Sequence, residues 1–234
     1  MSAAERTQRV GIFAYNACHL SAALVALGFL GGCASMRPTH SGFLEDYSRL
    51  TPTTDFINWG GGVHRVQVAL PEAHDLDGVD SFYLEPIAWL APDDDWLGAS
   101  PSRRKRVSSA LEVALRTKLA KIRPVVATPG PATAIVRAAV TDVKSSRPVI
   151  NAILSVIAFG PISNGGASVE AEIRAADGHQ IAAVDGGSAG GFIDQWGYYT
   201  RTGHPKTAAW RLAGELTDAL KTGTCAGPKP TAIR

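Results

Sequence analysis

Val169-Glu170-Ala171-Glu172-Ile173-Arg174-Ala175, then Ala176-Asp177-Gly178-His179 and Gln180-Ile181-Ala182-Ala183-Val184, is the stretch on which the fold turns. Val169, Ala171, Ile173 and Ala175 alternate with Glu170, Glu172 and Arg174, a period of two that an extended strand converts into one apolar face. Asp177-Gly178 supplies the residues that a two-residue turn of the primed type needs, so residues 180–184 return as a second strand. Upstream, residues 133–143 read as another strand through Ile135, Val136, Val140 and Val143. Downstream, residues 205–222 read as a helix with Trp210, Ala213, Leu216, Thr217 and Leu220 on one stripe and Gly223 placed to end it.

Further upstream lies the strongest helix signal. Ser100 stands at its cap and Pro101 at its first position; Val107, Leu111, Ala114, Leu115, Leu119 and Ile122 form a stripe interrupted by Lys118, and Pro124 stops it. Before it, residues 66–70 form a weak alternating strand. Residues 81–90 form a better one, in which Pro86 marks an edge or a bulge. The order β-β-α-β-β-β-α predicts a single α+β domain, a mixed sheet of four to five strands with two helices packed on one face.

The chain begins with a targeting pattern rather than structure. Arg6 and Arg9 precede the apolar run of residues 20–30, which ends in Leu30-Gly31-Gly32-Cys33. A leucine three positions before a cysteine, with two small residues between, is the recognition pattern of a lipoprotein signal peptide. Leu30, Gly31 and Gly32 are the residues a signal peptidase would read, and Cys33 is the lipidation site. Asn16 and His19 interrupt the apolar run and leave it too short for a ~30 Å hydrocarbon core. The expected organisation is a signal peptide at 1–32, a lipid-anchored tether at 33–62, the domain at 63–223 and a flexible tail at 224–234. The tether reading rests on Pro38, Pro52 and Gly60-Gly61-Gly62; residues 41–50 inside it are patterned enough to dock as one or two turns.

Removing residues 1–32 from the 234 leaves 202, with 21 Lys+Arg against 20 Asp+Glu, a net charge of +1. That balance gives no electrostatic reason to expect nucleic acid. Cys18 leaves with the signal and Cys33 takes the lipid, so Cys225 has no intramolecular partner and a cysteine-rich zinc site is excluded.

The block Ser41-Gly42-Phe43-Leu44-Glu45-Asp46-Tyr47-Ser48-Arg49-Leu50, with Leu84-Glu85-Pro86, Val140-Thr141-Asp142-Val143, Val169-Glu170-Ala171-Glu172, Trp196-Gly197 and Trp210, resembles a family of Gram-negative bacterial lipoproteins that is a domain of unknown function. The resemblance covers residues 39–222 and implies no catalytic residue. It implies an anchor at Cys33 and a place in the cell envelope.

Four constellations bear on function. Gly186-Gly187-Ser188-Ala189-Gly190 matches the nucleophile-elbow pattern, with Asp194 and His204 following in the order of a hydrolase triad. No helix starts after Ser188, so a glycine-rich loop following the last strand is the plainer reading. Asp75, Asp77, Asp80 and Asp93-Asp94-Asp95 lack the glycine offset and closing glutamate of a calcium loop, and no metal or cofactor is expected. Arg103-Arg104-Lys105-Arg106 opens a helix carrying eight cations against Glu112, a charge that anionic lipid headgroups would meet. Residues 149–162, with Ile153 and Phe159, are nearly all apolar and offer either a core element or a surface for a partner. These readings favour a non-catalytic binding or scaffolding domain. The expected membrane contact is a diacylglyceryl-cysteine and the expected partner an envelope protein, and Ala34 after the cysteine favours the outer membrane, facing the periplasm. A periplasmic hydrolase using Ser188 and a lipid- or small-ligand-binding domain are the alternatives.

Overall fold

A computed structural model describes residues 36–53, 56–57, 63–92, 100–145, 165–190, 200 and 202–224. Nine strands appear among them: β1 (Thr51–Pro52), β2 (Phe56–Ile57), β3 (Val63–Ala69), β4 (Ser81–Leu84), β5 (Ala88–Trp89), β6 (Val125–Val126), β7 (Thr133–Lys144), β8 (Gly166–Arg174) and β9 (Gln180–Ala189). Helix α1 spans Pro101–Leu119 and helix α2 spans Gly203–Thr224. The strands form one sheet in the order β1-β3-β9-β8-β7-β4-β6, with β2 on β3 and β5 on β7. Pairing is antiparallel from β1 through β7 and parallel where β4 and β5 join β7 and β6 joins β4. The fold is thus the α+β domain with a mixed sheet and two helices, with more strands than the expected four to five. The surplus consists of the two-residue strands β1, β2 and β6, too short to print a period on the sequence, and of β5, split off from the strand expected at 81–90.

The hairpin of β8 and β9 forms, but not through the expected two-residue primed turn. The Gly178 N–H donates to the Ala175 carbonyl at 3.0 Å and Gly178 takes the left-handed conformation at φ +95°, so residues 176–178 make a three-residue loop closed by a glycine bulge. The expected strand at 81–90 is divided at Pro86. Leu84 pairs with Val136 and Ala88 with Ala139, so β4 and β5 use one residue more than β7 over the same span. Proline has no N–H to give the ladder, and the extra residue absorbs that loss.

Alternation along β7, β8 and β9 sorts the sheet's two faces. Val136, Val140, Val169, Ala171, Ile173, Ala182 and Val184 are buried in one apolar core with Leu111, Leu115 and Leu119 of α1 and Leu212, Leu216 and Leu220 of α2. Each valine, leucine or isoleucine among them contributes about 1.5–3 kcal/mol when taken out of water. The α1 stripe is buried as predicted at Val107, Leu111, Ala114, Leu115 and Leu119. On α2, by contrast, Trp210 is 44% exposed, and the core side is filled by Ala208, Ala209 and Leu212. Gly223 lies within α2 rather than ending it.

The opposite face is covered by the N-terminal segment. Residues 36–50, expected within a tether, lie against the sheet. Leu44 is 5% exposed and packs with Ala69 and Ala183, joined by Phe43, Tyr47 and Leu50. The segment then leads into β1, which pairs with β3.

Candidate functional site

The face under the N-terminal segment is acidic. Glu170 and Glu172 project from β8, and Asp185 from β9 stands opposite Glu170 in the register; all three are 0% exposed. Carrying a carboxylate out of water costs several kcal/mol unless donors replace the lost hydration. The donors here come largely from residues 39–47.

Glu170 Oε1 accepts from the Thr39 hydroxyl at 2.9 Å and the Ser41 N–H at 2.6 Å, and its Oε2 accepts from the Ser41 hydroxyl at 2.9 Å and the Tyr47 phenol at 2.6 Å. Asp185 accepts the N–H groups of Thr39 and His40, one on each oxygen, both at 3.0 Å. Glu172 accepts the Glu45 N–H at 2.9 Å and the Gln180 amide at 2.8 Å on Oε2, and the Arg137 guanidinium at 2.7 Å on Oε1. Both oxygens of each acid therefore have a donor within the chain, with charge-assisted bonds among the stronger kind.

Local backbone makes this possible. His40 is left-handed at φ +47°, which turns successive N–H groups onto one carboxylate, in the manner of the backbone nests that bind anions. Gly42 at φ +87° reverses the chain and gives its N–H to the Tyr47 oxygen at 2.8 Å. On β7, the register shifts between Val140 and Asp142, and the extra residue, Thr141, brings its hydroxyl to 2.7 Å from that of Thr39. The rest of the block follows. The Arg137 guanidinium lies 4.8 Å above the Phe43 ring, and Asp46 accepts the Ser48 N–H at 2.7 Å. Arg49 donates to the carbonyls of Gln180 and Leu70.

Burial shifts the protons. It raises the Asp185 carboxyl above its ordinary 3.8, an effect opposed by the N–H groups of His40 and Thr39 and reinforced by the charge of Glu170. Burial, then the bond to Glu170, raises the Tyr47 phenol above its ordinary 10.0. The Ser48 contacts lower exposed Asp46.

The glycine-rich pattern has a packing cause. Gly186, Gly187 and Ser188 are not a loop but the far half of β9, paired with β3 and β8. A Cβ on Gly186 would lie 2.6 Å from Leu212 of α2, and one on Gly187 would lie 2.4 Å from the backbone nitrogen of Arg37 on the opposite face. One on Gly190 would meet the His204 ring at 2.1 Å. Three close approaches require the glycines. Ser188 is the next-to-last residue of β9, fully buried and paired with His64 and Ala167 on either side, its hydroxyl without a hydrogen-bond partner. His204 Nδ1 accepts the Gly165 N–H at 3.0 Å, which puts the ring proton on Nε2. That tautomer is the reverse of the one a serine's general base needs. Asp194 lies outside the described residues.

Of the other expected site residues, Arg103, Arg104, Lys105 and Arg106 form the first turns of α1. Arg104 stacks 5.9 Å from the Trp89 ring. Leu30, Gly31, Gly32, Cys33, Ile153 and Phe159 lie outside the described residues. No group of three or more metal-ligating side chains occurs among the described residues. A groove of about 430 Å³ runs between the helices, with Lys118 at 5.4 Å from the Trp210 ring and His64 at 3.0 Å from Glu215.

The carboxylate row itself was missed from sequence. The alternation put Glu170 and Glu172 on one face, yet nothing local marks that face as covered, since the donors that residues 39–47 bring to it are more than a hundred residues away.

Among solved structures, the chain is similar to the dodecamer of a PelC point mutant from Paraburkholderia phytofirmans at 12% identity and a TM-score of 0.42, over 66% of this chain and 97% of that one. The PelC dodecamer from the same organism in a second crystal form gives 13% identity and a TM-score of 0.40, with the same shares covered. No curated protein matches the chain. A family model described as "Protein of unknown function (DUF3313)" matches residues 39–200, from the first donor to the carboxylate row to just short of α2, and the chain belongs to that family.

Proposed function

We propose that this chain is a non-catalytic lipoprotein of the cell envelope, held by a diacylglyceryl group on Cys33 at the periplasmic side of the outer membrane, where its domain binds or steadies a partner protein. The observation that carries the reading is the seat of the segment that follows the cysteine. Met36 is 1% exposed, and residues 39–47 supply most of the donors to three buried carboxylates. A domain whose polar core is completed by the residues nearest the acylation point has its attachment built into its fold.

The same acids are 0% exposed and each of their oxygens already accepts a hydrogen bond from the chain, which weighs against acid–base work on a substrate. The burial of Ser188 between two paired strands and the His204 tautomer weigh against the hydrolase alternative. The apolar residues 149–162, with Ile153 and Phe159, remain the sequence's best surface for a protein partner.

Metabolic labelling with an alkyne fatty acid tests the anchor. The wild-type chain takes the label and fractionates with membranes, and Cys33→Ser accumulates as an unlabelled precursor or a soluble form. Absence of label on the wild type overturns the reading.

A further inference from the structure

One end of the sheet gathers the start of the seated segment and a set of exposed cations. Met36 packs where a Cβ on Gly166 would stand, and Arg37 crosses Gly187, so the segment enters at the end where β8 begins and β9 finishes. It then runs to the other end, where Arg49 reaches the Gln180 carbonyl. Lys144 closes β7 at the entry end, opposite Gly166. Both helices also start there: Arg104 of α1 lies over Trp89, which pairs with Val140, and His204 of α2 lies against Gly190. Neither helix has an acid in its first turn. Arg37, Lys105, Arg106, Lys144 and Lys206 are exposed around this end; the acids near it among the described residues include the half-buried Asp142 and Glu215, the latter held at 3.0 Å by His64 opposite Ser188. Asp93-Asp94-Asp95 precede α1 in the chain.

From this arrangement we infer that the entry end of the sheet is a docking surface for the anionic lipid leaflet in which the anchor sits, so that the domain is held in one orientation rather than on a leash. The inference rests on the reading that Cys33 carries the lipid. Only Ala34 and Ser35 separate Cys33 from the buried Met36, and three residue steps span at most about 11 Å. The entry end therefore stays within about a Debye length of the headgroups, where cations on a tethered domain are attracted and acids repelled.

Lysine acylation footprinting of the full-length lipidated chain tests this, in detergent, in phosphatidylcholine vesicles, and in vesicles of phosphatidylcholine mixed with phosphatidylglycerol. Lys105, Lys144 and Lys206 should lose reactivity several-fold in the anionic vesicles, whereas Lys121 and Lys221 at the far ends of the helices keep theirs. A variant carrying Lys105→Glu and Arg106→Glu should still float with the vesicles and take the alkyne lipid, yet recover the reactivity of Lys144. A chain that floats with all five lysines equally reactive overturns the docking surface and leaves the anchor intact. A wild-type chain that neither takes lipid nor floats overturns the anchor and the docking surface together.

Discussion

Tyr47 carries more of the structure than its place in a Ser- and Pro-rich stretch announces. Its phenol donates to buried Glu170 at 2.6 Å and accepts the N–H groups of Gly42 and Leu44, so one oxygen ties a turn to the sheet. Removing it in Tyr47→Phe leaves Glu170 one donor short and two N–H groups unmatched. The expected loss is about 1.5–3 kcal/mol, the range for a bond to a charged group, read by denaturant unfolding of wild type and variant. The phenol also gives a pH signature with a definite sign. Its proton is held above the ordinary 10.0 in the fold, so on raising the pH the unfolded chain ionises first. Stability from this group is whole below pH 10, then drains as pH climbs toward the raised native value. The alkaline fall should be steeper in wild type than in Tyr47→Phe; equal slopes would show that the phenol is neither buried nor bonded to Glu170 as described. None of this is legible locally, because a tyrosine's role is fixed by an acid more than a hundred residues further on.

Strand β9 shows how the element scale divides into what a sequence prints and what it hides. Its first half, Gln180 to Val184, was readable because the turn at Asp177-Gly178 and the alternation in β8 set the pairing. Its second half, through Ala189, was not, because Gly186 and Gly187 have no side chains to show a period. Their bareness is the signal, and it arises from α2 pressing on one face and the N-terminal segment on the other. Ser188 lies between these constraints, with its hydroxyl unpartnered and buried. Ser188→Ala should thus leave stability unchanged or raise it by about 1 kcal/mol, since it removes a desolvated polar group without breaking a bond. A fluorophosphonate probe should leave the wild type unmodified; covalent capture at Ser188 would restore the nucleophile reading. The helices were legible for a complementary reason, their stripes being local and long. Trp210 departs from its stripe because Leu212 and Ala208 already fill the space above the sheet, leaving the indole beside Lys118.

At the scale of the molecule, two layers cover one sheet by different physics. The helices cover one face through apolar burial, and a strap of irregular chain covers the other through hydrogen bonds to carboxylates. The first layer could be derived from periodicity, and the α+β order followed from it. The second shows only the short pattern of residues 41–50, enough to expect one or two docked turns inside a tether at 33–62, whereas the whole of residues 36–50 is part of the fold. The most direct test of this account is amide hydrogen exchange of the full-length chain, followed at Thr39, His40, Ser41 and Glu45. Their N–H groups point at Asp185, Glu170 and Glu172, and they should exchange as slowly as the paired amides of β8 and β9, at near the cost of global unfolding. Exchange of those four amides at the rate of an unstructured chain, with β8 and β9 still protected, would contradict it.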